Sequence, residues 1–352
     1  MRTEAVLEGL DRGDTTALAR AISLVENQRD GFERVLAHVH ERIGRSAARR
    51  IGITGPPGAG KSTLTEQLTR YYREQGRTVA VVAVDPTSPF SGGALLGDRI
   101  RMESVSLDAG VFIRSMATRG SIGGLAMTTE EVCDVLDGFG FQRILIETVG
   151  VGQTELDIAR TAETTVLVLV PESGDAIQTL KAGVMEAADV FVINKSDRLG
   201  ADRLRQDIEV MLGIRRGSAF RHVAPHHGAL EPRRHLAGGV SVGRQETAEP
   251  EWEPPVLTTV ASRGEGTAAL AEALDRHRAY LEASGRLEAR RRERLAARTR
   301  AVVDRSLRHW LWEESPAGEM LARELDGMTA GRRSPYEVAA DILDFVRSGA
   351  AR

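Results

Sequence analysis

The chain has 352 residues, 41% of them apolar, and a formal net charge of −3. That is ample for one large or two modest cores, and it argues against disorder and against a protein dominated by nucleic-acid or anionic-lipid binding. Cys133 is the single cysteine, no apolar run reaches the length of a membrane-spanning helix, and the N-terminus carries early acids rather than a leader, so the expectation is a cytoplasmic protein without a disulfide framework and with no membrane or nucleic-acid partner.

Residues 1–48 predict a helical N-terminal extension. Leu18, Ala21, Ile22 and Val25 recur at i, i+3, i+4 and i+7, with Asp14 placed to cap the helix. From residue 51 the pattern changes to short β-branched runs: Ile51–Thr54, Val79–Val84, Val111–Arg114, Ile144–Ile146, Val166–Val170, Val190–Ile193 and Val256–Val260. Helical stretches such as Ser62–Gln75 separate many of them. Strands alternating with helices predict an α/β fold with a doubly wound, mostly parallel sheet, in which ligands bind beyond the carboxyl ends of the strands. Residues 215–255, rich in glycine, proline, arginine and histidine, read as a surface insertion in a central domain over 49–282. Residues 283–352 predict a helical arm. Val302, Val303, Leu307, Trp310 and Leu311 form one stripe, and Ser334 to Glu337 is a capping box with Pro335 at the first helical position. Such stripes need a partner surface, which predicts a homodimer.

Only three of the 47 basic residues are lysines: Lys61, Lys181 and Lys195. A site that keeps lysine in so arginine-rich a chain points to a compact ammonium that a planar guanidinium cannot replace. Lys61 closes Gly55-Pro56-Pro57-Gly58-Ala59-Gly60-Lys61-Ser62, followed by Thr63, which fits the Walker A pattern between a strand and a helix. Backbone N–H groups of such a loop cradle phosphates, the lysine reaches the β- and γ-phosphates, and Ser62 reaches Mg²⁺. Lys195 belongs to Asn194-Lys195-Ser196-Asp197, an N-K-x-D at a strand end. The Asp197 carboxylate can accept from guanine N1–H and the 2-amino group together, whereas adenine offers it a lone pair at N1 and no 2-amino group. The joint spacing therefore selects GTP and GDP over adenine nucleotides. Glu147 stands at a strand tip three residues before Gly150, a Walker B-like position, and with Asp85 and Asp98 it makes a set of acids for Mg²⁺. For Asp98 the alternative is a helix-capping role.

The segments Asp85 to Met102, Ser115 to Gly120 and Glu147 to Glu155, with Ala17 to Glu26 near the start, resemble the MeaB/MMAA family of P-loop GTPases. Members are chaperones of adenosylcobalamin-dependent acyl-CoA mutases such as methylmalonyl-CoA mutase. The resemblance runs from about residue 10 to 215 and resumes at Trp252. It implies a first switch over Asp85 to Asp98 and a second over Glu147 to about Ala159, and it places Gln153 two residues beyond the usual water-positioning slot. It also implies a third, partner-contacting switch that includes Pro171, Gly174, Asp175 and Lys181. Two departures stand out. Glu172 occupies a place where the family has a small residue, and Val260-Ala261 replaces Ser-Ala at the guanine loop, where the Ala261 N–H can still meet guanine O6.

Three other readings compete. A nickel-delivery GTPase needs Cys/His ligands, but Cys133 has no cysteine partner, and His222, His226 and His227 have no thiolate or acid cluster beside them. A small-molecule P-loop kinase needs an acceptor site, and an N-K-x-D loop is not its habit. RNA binding through Arg286 to Arg300 is weakened by Glu288, Glu293 and the lack of aromatic residues there.

Overall fold

The computed structural model describes residues 3–43, 48–85, 102–117, 124–148, 154–173, 182–215 and 251–349. Three helices come first: α1 (Thr3–Asp11), α2 (Thr15–Glu26) and α3 (Phe32–Ile43). The α/β portion follows with β1 (Arg49–Thr54), α4 (Lys61–Glu74), β2 (Val79–Asp85), α5 (Glu103–Ser106), β3 (Val111–Ala117), α6 (Gly124–Phe139) and β4 (Arg143–Thr148). It continues with α7 (Thr154–Thr161), β5 (Thr164–Leu169), α8 (Ala182–Ala187), β6 (Val190–Asn194), α9 (Ala201–Arg215), β7 (Val256–Thr259) and α10 (Thr267–Ala283). Three long helices close the chain: α11 (Arg286–His309), α12 (Ala317–Thr329) and α13 (Pro335–Gly349). The chain divides into two compact units, Met1–Arg291 and Arg292–Arg352. Among the described residues no helix is long and apolar enough to cross a membrane.

Among the described residues there are seven strands, one at each of the seven predicted runs. They pair in the order β3-β2-β4-β1-β5-β6-β7, and every pairing is parallel. Their near-continuous apolarity follows from burial on both faces. Along β2, Ala80, Val82 and Val84 face one core while Val79 and Val81 face the other. Ile144 and Ile146 of β4 split from Leu145 in the same way. The first core includes Val6, Leu18, Ile22, Val25, Val35 and Val39, so the N-terminal helices share their apolar side with the sheet. The second is built on α4 and α10 through Leu64, Leu68, Leu270 and Leu274. Asp14 caps α2 as expected, its carboxylate accepting from the Thr16 N–H at 2.7 Å. The second unit has a small core of Ala317, Val338 and Ile342. There the capping box is reciprocal: the Ser334 N–H donates to Glu337 at 2.7 Å, and the Glu337 N–H donates to the Ser334 hydroxyl at 3.2 Å.

The first strand starts two residues earlier than its apolar run. Arg50 is nearly fully buried and donates to Asp134 at 2.7 Å and Asp137 at 2.9 Å, both on α6. A charge in a strand is invisible to apolar patterning, yet here the pair of carboxylates supplies the partners that burial demands. Arg50→Met would leave two buried carboxylates without that cation. The expected cost is about 3–5 kcal/mol of folding free energy, read as a lowered urea midpoint.

Candidate functional site

Because the strands are parallel, their carboxyl ends share one edge, and β1 is central in it. The register sets Glu147 of β4 beside Ile53 of β1, and Asn194 of β6 beside Thr259 of β7. The loop after β1, the acid at the tip of β4, and the loops after β6 and β7 therefore converge at one end of the sheet.

Two glycines permit the first loop. A Cβ at Gly55 would lie 2.0 Å from the Val168 carbonyl oxygen, so only a bare backbone passes β5 there. Gly60 has φ of +85°, and a Cβ on it would meet Asn194 Nδ2 at 2.4 Å. Helix α4 starts at once with Lys61, Ser62 and Thr63, which leaves its first N–H groups directed at the loop. The buried Lys61 ammonium donates to the carbonyls of Gly55 at 2.8 Å and Pro56 at 2.9 Å. The Ser62 hydroxyl donates to Glu147 Oε1 at 2.5 Å. Thr148, next along β4, donates to the Thr54 hydroxyl at 3.1 Å and ties the two strand tips together. A hydroxyl and a carboxylate meeting at the mouth of the loop form a set of hard oxygen donors able to hold a divalent cation.

Asn194 does something its place in the N-K-x-D motif did not announce. Its Nδ2 donates to the Ala59 carbonyl at 2.8 Å, and its Oδ1 accepts from the Ala261 N–H at 3.0 Å and the Thr259 hydroxyl at 3.1 Å. One amide thus joins the loops after β1, β6 and β7. Val260 and Ala261 are both buried, and Val260 bridges back to Glu265. Lys195 adopts φ of +56°, the left-handed region that costs a non-glycine residue about 1–3 kcal/mol. The turn is closed by the Arg198 N–H on the Lys195 carbonyl at 3.0 Å and by the Ser196 N–H on the Thr259 carbonyl at 3.1 Å. Asp197 faces Arg263 at 3.6 Å, and Arg263 is held in turn by Glu265 at 3.0 Å. Motif spacing had no means of finding Arg263, which reaches Asp197 only because β7 runs beside β6.

Several anticipated positions lie outside the described residues: Asp98, Gln153, Gly174, Asp175, Lys181, and His222, His226 and His227. Asp85 ends β2 at the same edge of the sheet, and Pro171 opens a short 3₁₀ turn, Pro171–Ser173, after β5. Among the described residues no group of three His, Cys, Asp or Glu side chains is arranged to hold a metal ion by itself. Part of the arginine run has structural partners. Arg291 makes two bonds to Glu163 Oε1, at 2.9 and 2.7 Å, and Arg290 donates to the Glu163 carbonyl at 2.9 Å.

A parallel sheet with a Walker A loop at the tip of its central strand defines a P-loop nucleotide-binding protein, of the GTPase kind. A profile of the methylmalonyl-CoA mutase-associated GTPase family, MeaB, matches residues 18–315, and the chain belongs to that family. A Pyrococcus abyssi protein named as a GTPase is 45% identical over 300 residues, covering 85% of this chain and 83% of that one. The mouse mitochondrial methylmalonic aciduria type A homolog is 38% identical over 295 residues, covering 80% of this chain and 65% of its own. The crystal structure of an LAO/AO transport system kinase shares the fold, with a TM-score of 0.64 at 24% identity over 98% of this chain and 97% of that one.

The amide bridge yields a test that needs no ligand. Asn194→Ala strands the buried Ala59 carbonyl and Ala261 N–H at once. The expected loss is about 2–4 kcal/mol of stability by chemical denaturation of the nucleotide-free protein.

Proposed function

We propose that the chain is a Mg²⁺-dependent GTPase with slow intrinsic turnover, serving as a chaperone that gates cofactor loading and protects an adenosylcobalamin-dependent acyl-CoA mutase. The observation that carries the hydrolytic part is the Ser62–Glu147 contact at the mouth of the Walker A loop. Those two oxygens suit Mg²⁺, which favours a hydroxyl and one or two carboxylates and keeps waters in its remaining positions. Ser62 and Glu147 would hold the ion, with Asp85 and Asp98 as further acids. Bound there, Mg²⁺ would offset charge on the β- and γ-phosphate oxygens.

The chain's own groups do the rest. Lys61 exchanges the Gly55 and Pro56 carbonyls for phosphate oxygens, which is an inexpensive exchange because the ammonium is already desolvated and aimed into the loop. The N–H groups from Gly58 to Thr63 cradle the phosphates. Asp197 accepts from guanine N1–H and the 2-amino group, the Lys195 stem packs on the base, and the Ala261 N–H faces O6. Gln153 stands off the usual water-positioning slot, so hydrolysis by the isolated chain is slow and a partner accelerates it. Pro171, Gly174, Asp175 and Lys181 make the switch that senses that partner.

The mutase reading is supported by the family's description and by the name of the mouse relative. The domain plan is an N-terminal extension over 1–48, the GTPase domain over 49–282 and an arm over 283–352 that forms a homodimer. Val303, Leu307, Trp310 and Trp312, all substantially exposed on the arm, support the dimer. A single buried cysteine suits a cytoplasmic setting.

Two measurements test this. Asp197→Asn keeps the shape of the side chain but loses the charge-assisted pair of bonds, so GTP affinity should fall by roughly 100-fold with ATP affinity unchanged; wild-type protein that binds ATP and GTP equally would refute guanine selectivity. Phosphate release from GTP should stop on chelation with EDTA, and should rise at least tenfold when purified methylmalonyl-CoA mutase is added. Rapid hydrolysis without a partner, or no response to the mutase, would count against the chaperone role.

A further inference from the structure

The guanine-recognition loop has a second anchor that no motif describes. Arg198, the residue after Asp197, closes the left-handed turn with its backbone: its N–H holds the Lys195 carbonyl at 3.0 Å. Its guanidinium pairs with Glu172 in the Pro171–Ser173 turn at the tip of β5. The same two segments approach again at Gly200, where a Cβ would lie 3.7 Å from Pro171 Cβ. Strands β5 and β6 are neighbours in the sheet, with Leu169 opposite Ile193, so the pair spans adjacent strand tips. The hydrogen bond from Arg198 holds the Glu172 carboxyl below the usual carboxylate range, so it is ionised at neutral pH. Glu172 also lies close enough to Lys195 to feel its charge.

We propose that Glu172 is a positioning residue for the guanine-recognition loop: acting through Arg198, it holds the Lys195–Arg198 turn closed and slows release of bound guanine nucleotide. The physical reason is the strain at Lys195. A non-glycine residue in the left-handed region stays there only while neighbouring contacts over-determine it. The Arg198 N–H is one such contact, beside the Ser196 N–H on the Thr259 carbonyl, and restraint of the Arg198 side chain adds to it. An arginine fixed at both ends restrains the turn; one fixed at the backbone alone lets it fray. The side chains are each 53% exposed, so the pair is worth what exposed ion pairs are worth, a small factor rather than a decisive one. Exposure also makes it sensitive to salt.

This inference rests on the assignment of Asn194, Lys195 and Asp197 to guanine. The experiment is a double-mutant cycle on release of fluorescently labelled GDP, chased with excess unlabelled GDP in stopped flow. Glu172→Gln and Arg198→Gln should each speed release by about two- to fivefold, and the double variant should be no faster than either single. Raising the salt concentration should speed release from the wild type more than from the double variant. Thermal midpoints of all four proteins should agree, which separates positioning of the loop from general loosening of the fold. Unchanged or slower release in the single variants, or factors that multiply in the double, would overturn the pairing. Failure of the wild type to load labelled GDP at all would instead overturn the guanine assignment, and this inference with it.

Discussion

The nucleotide end of the molecule hangs on one side-chain amide. Asn194 leaves the sheet at the tip of β6 and finds a carbonyl of the Walker A loop on one side and an N–H of the loop after β7 on the other. Both partners are backbone groups, so the amide's geometry is fixed by three strands whose register is already set by hydrogen bonding. An amide suits this task because it donates and accepts within one planar group. A carboxylate at 194 would face the Ala59 carbonyl with a lone pair, and an aliphatic residue would strand two buried polar groups. The close approach also explains Gly60, since a side chain there would displace the amide. The Walker A loop and the loops after β6 and β7 are thereby tied together by one side chain.

How much of this was legible in the sequence depends on what kind of contact does the work. The seven strands were legible because burial on both faces writes a continuous apolar run, and the parallel arrangement followed from the helices between them. The Walker A loop and N-K-x-D were legible because their chemistry demands fixed residue types at fixed spacing. Asp14 and Ser334 were legible because helix capping is local. Asn194 was assigned to the base, and its bridging role was hidden because Ala59 and Ala261 contribute backbone groups, which no residue type announces. Arg50 falls just before the first apolar run, Ile51–Thr54, and no pattern marked it as part of the strand. Its burial depends on Asp134 and Asp137, more than eighty residues away, and periodicity carries no information about such pairs.

The same distinction explains Glu172. Read in the sequence alone, it is a departure from the small residue expected beside Pro171, with no evident use. In the fold it faces Arg198, itself an unremarked residue just past a motif. Each was uninformative alone, and the parallel pairing of β5 with β6 makes them a pair. Departures from a family pattern thus gain meaning when the residue across the adjacent strand tip is known.

Lysine and arginine do different work in this chain. Arginine serves wherever this protein needs several donors spread over a plane: Arg50 spans two carboxylates on α6, and Arg291 makes two bonds to one oxygen of Glu163. Lys61 has a different task. Its ammonium sits between two carbonyls one residue apart, inside a loop whose backbone passes β5 so closely that not even a methyl group fits at Gly55. A guanidinium presents its donors in a fixed plane and cannot swing them between acceptors without moving as a whole. On a solvated helix face an arginine can stand for a lysine, because there only the charge matters. Where two acceptors one residue apart call for a compact, rotatable set of donors it cannot, and Lys61, one of three lysines beside 44 arginines, stands at such a place.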